Sequence, residues 1–144
     1  MAPMKTMSAT IEISAPPLAV WAVLTDLSSY PEWNPLFREA SGEIAVGERI
    51  RLRSVHPASG RLMTVKPRIV TAEPGVELRW ASSLPGIMSG EHAFALSPAG
   101  GGTRLDQSES FRGLLVPFSG QILARAEAGF RALNEAIKKR AEAS

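Results

Sequence analysis

Gly90-Glu91-His92-Ala93-Phe94-Ala95-Leu96-Ser97-Pro98-Ala99-Gly100-Gly101-Gly102-Thr103-Arg104-Leu105-Asp106-Gln107-Ser108-Glu109-Ser110-Phe111 carries two alternating runs around a glycine-rich tip. Strand side chains point to opposite faces in turn, so Phe94 and Leu96 on one run, and Leu105 and Phe111 on the other, mark the buried face of a hairpin. With Ala99 to Gly102 as the loop, Leu96 lies opposite Leu105, Phe94 opposite Gln107, and His92 opposite Glu109. Opposed side chains of an antiparallel pair are within contact distance. Three polar residues, His92, Gln107 and Glu109, are thereby expected to face inward among apolar ones. A register slip of one residue would turn them all to solvent.

The same rhythm extends upstream. From Phe37 to Arg112, short runs broken at Gly42, Gly47, Pro57 to Gly60, Pro74-Gly75, Pro85-Gly86 and Pro98 to Gly102 predict six strands in a meander: about 37–44, 48–56, 61–73, 76–83, 88–97 and 103–112. Pro67 cannot donate to a ladder and predicts a bulge or an edge in the run 61–73. Alternation puts Val76, Leu78, Trp80 and Ser82 inside, and Glu77 and Arg79 outside. Ile50 and Leu52 likewise go in, leaving Arg49, Arg51 and Arg53 as an outer basic row. With Lys66 and Arg68 that row is expected to be a solvated face, because Glu43, Glu48 and Glu77 are interleaved with it.

Ser8 to Ile13 predict a further strand, and Pro16-Pro17 suit the first turn of a helix, where a missing N–H costs nothing. Val20, Trp21, Leu24 and Leu27 give that helix an apolar stripe. Within Tyr30-Pro31-Glu32-Trp33-Asn34-Pro35 the residues before each proline are pushed out of the α region, so only a turn or a very short helix fits. Pro117 opens the final segment, in which Ile122, Ala126, Phe130, Leu133 and Ile137 share one helical face. A helix from about 118 to 141 would be roughly 36 Å long, enough to cross a sheet. The expected class is α+β: a curved seven-stranded antiparallel sheet wrapped around a long C-terminal helix, with two short helices after the first strand. One domain is expected over residues 7–141, with flexible ends at 1–6 and 142–144.

Composition narrows the function. The chain has 144 residues, 44% of them apolar, which is ample for one self-sufficient core. It contains no cysteine, so disulfides, thiolate metal sites and a cysteine nucleophile are excluded. His56 and His92 are the only histidines, too few for a histidine metal centre, and no motif calls for a cofactor. Lys and Arg number 16 against 14 Asp and Glu, a formal charge of +2 that implies no nucleic-acid partner. No apolar run approaches the ~20 residues of a membrane span, and the first residues do not read as an export signal. A cytoplasmic monomer or homodimer is expected. Gly100-Gly101-Gly102 lacks the Lys-Ser/Thr of a phosphate loop, and no Gly-x-Ser-x-Gly elbow occurs.

The order of elements resembles the helix-grip fold of the START-like or SRPBCC superfamily, and more narrowly its polyketide cyclase/dehydrase branch. The residues that carry the resemblance are Ile11-Glu12-Ile13-Ser14-Ala15-Pro16, Tyr30-Pro31-Glu32-Trp33-Asn34-Pro35, Gly90-Glu91-His92-Ala93-Phe94, Gly102-Thr103-Arg104 and Gly113-Leu114-Leu115-Val116-Pro117. The resemblance implies a cavity between sheet and C-terminal helix, with Trp33 in the loop over one opening. It does not name a reaction, since lipid carriers, hormone receptors and cyclases share the fold.

Buried polar groups need partners, water or a ligand, and three readings of the inward trio stay open. His92, Gln107 and Glu109 can form a self-satisfied internal network. They can be the polar floor of a pocket for a hydrophobic or aromatic small molecule, with Trp33, Trp80, Phe94, Gln107, Phe111 and Phe130 as ligand contacts. Or His92 and Glu109 can act as catalytic acid and base in a cyclisation or dehydration. Tyr30 is expected at the rim, the alternative being a hydroxyl that reaches the pocket. A protein-interaction domain with no small ligand is the further alternative.

Overall fold

In the computed structural model, which describes residues 4–84, 88–113 and 120–143, the hairpin adopts the register that alternation requires. Strands β7 (Met88–Ala99) and β8 (Gly102–Gly113) pair Leu96 with Leu105, Phe94 with Gln107 and His92 with Glu109. Gly100 and Gly101 form the tip with positive φ, the backbone region open chiefly to glycine. Strand β1 (Met4–Ile13) adds to β8, and β6 (Glu77–Leu84) and β5 (Arg68–Glu73) continue on the other side. The result is a five-stranded antiparallel sheet in the order β1-β8-β7-β6-β5.

The expected seven-stranded sheet is corrected: among the described residues there are eight strands in two sheets. Strands β2 (Phe37–Ser41), β3 (Arg51–Val55) and β4 (Leu62–Val65) form a separate three-stranded sheet. The cause is Pro67. The single run expected over 61–73 breaks there into β4 and β5, because proline ends one ladder and cannot donate to the next. A short seam joins the two sheets: an isolated bridge between Arg49 and Arg68, flanked by hydrogen bonds from Ile50 N to Pro67 O (3.0 Å) and from Ile69 N to Glu48 O (2.8 Å). β1 also begins at Met4, so residues 4–6, expected to be flexible, pair with Arg112, Phe111 and Ser110.

Helix α1 (Pro17–Thr25) starts on its two prolines and buries Val20 and Leu24. A 3-10 turn at Leu27–Ser29 and the four-residue α2 (Tyr30–Trp33) follow. Asn34 closes this stretch: its buried Oδ1 accepts from the backbone N–H groups of Leu36 (3.0 Å) and Phe37 (2.7 Å), turning the chain into β2. The long helix α3 (Gly120–Glu142) buries Phe130, Leu133, Ile137 and Ala141 against the sheet. No helix among the described residues is long and apolar enough to cross a membrane. The breaks expected at Pro85-Gly86 and the helix start at Pro117 lie outside the described residues.

Ile50, Leu52, Ile69, Leu78, Phe94, Leu96 and Leu105 complete the core. Val76, expected inside, is half exposed, because it precedes β6 and its N–H closes a turn onto Glu73 O. Ser82 occupies an inner row, yet it is exposed as well. On the convex face Arg79 bridges Glu77 (3.2 Å) and Glu91 (3.0 Å), and Arg49 and Arg68 donate to the carbonyls of Lys66 and Gly47.

Candidate functional site

The inner row of the β7/β8 hairpin meets α3 through a chain of side-chain hydrogen bonds. Glu109 Oε2 lies 2.5 Å from His92 Nδ1, and His92 Nε2 lies 3.0 Å from Gln107 Oε1. Gln107 Nε2 donates to the backbone carbonyl of Phe130 (3.0 Å) and to Asn134 Oδ1 (2.7 Å), one turn apart on α3. His92, Gln107 and Asn134 are all buried, and no buried side-chain nitrogen or oxygen among the described residues lacks a partner. A chain so fully satisfied avoids the penalty that unpaired polar groups would bring to a core.

Aromatic rings enclose the histidine. Trp80 stacks on it at 5.6 Å between centroids, Phe94 lies tilted at 4.8 Å, and Phe37 and Phe130 meet it edge-on at 5.5 and 5.2 Å. The chain leaves this box at Glu109, whose side chain keeps 21% of its exposure against 3% for His92. Beyond Glu109, on the same face, stand Phe111 and Gly90. A Cβ built on Gly90 would lie 3.5 Å from Glu109 Oε1 and 3.7 Å from the Phe111 ring. At the other end of the chain, Asn134 lines a groove of about 330 Å3 between β1 and α3, together with Thr10, Ile11 and Arg131.

The structure therefore brings His92, Glu109, Gln107, Trp80, Phe94 and Phe130 together, with Phe111 one step outward. Trp33 stands elsewhere, its ring packed edge-on against Tyr30 at 5.3 Å. Tyr30 is not at a rim: it is buried, and its hydroxyl donates to Leu24 O at 2.6 Å. Burial pushes that phenol well above its ordinary pKa. Thr103, within the Gly102-Thr103-Arg104 motif, is likewise structural, its buried hydroxyl donating to Ala15 O at 2.7 Å. Among the described residues no cluster of three metal-ligating side chains occurs.

Sequence reasoning missed Asn134 and Phe37. Asn134 carried a usable signal, standing four residues after Phe130 and three before Ile137 on the apolar face of the helix, where a polar side chain must have a partner. Phe37 carried none, since its place beside His92 depends on how the small sheet closes over the large one.

The family described as polyketide cyclase / dehydrase and lipid transport matches residues 4–142, and the chain belongs to that family. Solved structures agree on the START-like helix-grip fold. The Zhui aromatase/cyclase from Streptomyces sp. R1128 superposes with a TM-score of 0.77 at 18% identity, over 97% of this chain and 94% of its own. A START superfamily protein from Mycobacterium smegmatis gives 0.74 at 19% identity, over 95% and 97%. Ara h 8.0201 gives 0.75 at 14% identity, over 99% and 100%. At such identities the likeness is one of fold. No curated protein sequence matches the chain.

Proposed function

We propose that the protein binds a hydrophobic or aromatic small molecule between the sheet and α3, with the edge of the aromatic box as the apolar contact and Glu109 as the polar one. The observation that carries this reading is the asymmetry of the hydrogen-bond chain. Every inner member is fully partnered, whereas its outermost carboxylate keeps partial exposure next to a glycine on an inward row. A purely structural network would have no need of that open end. The family's association with lipid transport and polyketide chemistry supports the same class of ligand. In this reading the chain works in the cytoplasm as a monomer or homodimer without nucleic acid, in keeping with a formal charge of only +2.

Native mass spectrometry of the purified protein, followed by denaturing extraction, tests the reading. The expected result is an amphipathic or aromatic molecule retained one-to-one, or acquired from a panel of fatty acids, sterols, flavonoids and polyketide-like aromatics. A chain that retains nothing and is thermally stabilised by no member of the panel would count against it.

A second reading is an acid/base catalyst of the cyclase/dehydratase kind, favoured by the 2.5 Å contact between His92 and Glu109, a distance suited to proton transfer. His92→Ala separates the two. A carrier keeps measurable affinity for its ligand, whereas a catalyst keeps binding but loses turnover by about 100-fold or more.

A further inference from the structure

The partners of Gln107 determine where the protons of the site lie. A backbone carbonyl only accepts, so the amide group that meets Phe130 O at 3.0 Å is the NH2, and the Gln107 carbonyl must point at His92. His92 Nε2 is therefore an N–H donor. Its Nδ1 faces Glu109 Oε2 across 2.5 Å, a gap that holds one proton. Placed on nitrogen, that proton gives an imidazolium beside a carboxylate; placed on oxygen, it gives an imidazole beside a carboxylic acid. Both forms have zero net charge, and in both Oε1 of Glu109 carries no hydrogen.

Among the described residues nothing donates to Oε1, and the space beside it is the one that a side chain at position 90 would fill. Gly90 is not required by backbone conformation, since it is absent from the glycines with positive φ. Among the described residues a Cβ there would meet nothing nearer than 3.5 Å, an ordinary van der Waals distance. Ser82, Gly90 and Phe111 lie side by side on adjacent strands, so two small residues and one ring border this space.

We infer that Glu109 Oε1 is an acceptor-only contact point beside Gly90, selecting ligands that present a neutral hydroxyl on an apolar body and refusing carboxylates. The inference rests on the binding reading above and narrows its ligand class. A hydroxyl supplies the hydrogen that Oε1 lacks. An ionised carboxylate supplies none, and it would bring its charge out of water against an oxygen that repels it.

Three probes that share one ring system test this: 2-naphthol, 2-methoxynaphthalene and 2-naphthoate, titrated calorimetrically into the whole chain near neutral pH. The expected result is that 2-naphthol binds at least tenfold more tightly than the other two, and that Gly90→Ala lowers its affinity at least tenfold. A long-range proton–nitrogen NMR spectrum should show the His92 proton on Nε2, in wild type and in Gly90→Ala alike. Equal affinities, or a preference for the naphthoate, would overturn the hydroxyl inference while leaving a binding site in place. Binding of none of the three would overturn the hydroxyl inference, while the binding reading falls only if the wider panel above fails as well. A neutral His92 protonated on Nδ1 would remove the premise, whatever binds.

Discussion

At Gly102 the main chain leaves no room for a side chain. A Cβ there would sit 2.2 Å from the carbonyl oxygen of Ile13, a backbone atom that cannot step aside as a side chain would. The next residue, Thr103, ties the same corner together through its bond to Ala15 O. Gly102→Ala should destabilise the fold by about 3 kcal/mol, at the upper end of ordinary overpacking, as read from the urea midpoint at unchanged slope. A loss below about 0.5 kcal/mol would show that the corner yields more easily than its geometry implies. Gly102-Thr103 was legible in the sequence as a motif, but its reason was not, because the close approach is to a strand almost ninety residues earlier. The inward positions of His92, Gln107 and Glu109 were legible, since a period of two leaves only two choices and the flanking Phe94 and Leu105 decide between them. Tyr30 was not, because a hydroxyl that ends on a backbone carbonyl six residues back leaves no trace in hydrophobic patterning.

At the scale of the element, α3 is held to the sheet by apolar burial and by one polar clasp, Gln107 to Phe130 O and Asn134 Oδ1. Removing Gln107 would strand His92 Nε2–H and an acceptor on the helix together, and each buried orphan costs about 1–3 kcal/mol. Gln107→Ala is expected to lose about 2–6 kcal/mol on that count. In a double-mutant cycle with Asn134→Ala the two losses should fall short of additivity by about 1 kcal/mol or more. Strict additivity would mean that the two side chains do not act as a unit. The helix itself is readable from the spacing of Phe130, Leu133 and Ile137, and Asn134 within that stripe signals a polar partner, but which partner depends on how the helix docks against the hairpin. In the strands, Pro67 announced an irregularity but not its size: a bulge and a break look alike until the partners on each side are known.

For the whole molecule, the division into two sheets matters more than the total number of strands. The large sheet carries the hairpin and its core, with Leu78, Phe94 and Leu105 almost fully buried. The small sheet ends in β4, where Leu62 and Met63 remain about 40% exposed. Sparse burial and few ladder bonds lower the free energy of local opening. Amide exchange in β3 and β4 should therefore be faster than in β7 and β8, by about tenfold for each 1.4 kcal/mol of difference in opening. Uniform protection across both sheets would indicate a single cooperative unit instead. The overall class, a sheet gripping a C-terminal helix, was visible in the order of elements. The split was not, since alternation reports which face a side chain takes and says nothing of which sheet its strand joins.

The seam at Arg49 and Arg68 also marks a place to intervene by engineering. Residues facing each other across an antiparallel bridge have Cα atoms about 4.5–5.5 Å apart, within the span of a disulfide. A chain with no cysteine of its own offers no competing thiol. Cysteines at both positions would fasten the small sheet to the large one along that seam. Such a covalent staple would set the angle between the two sheets, and with it the shape of whatever they enclose, without touching a single residue of the polar chain.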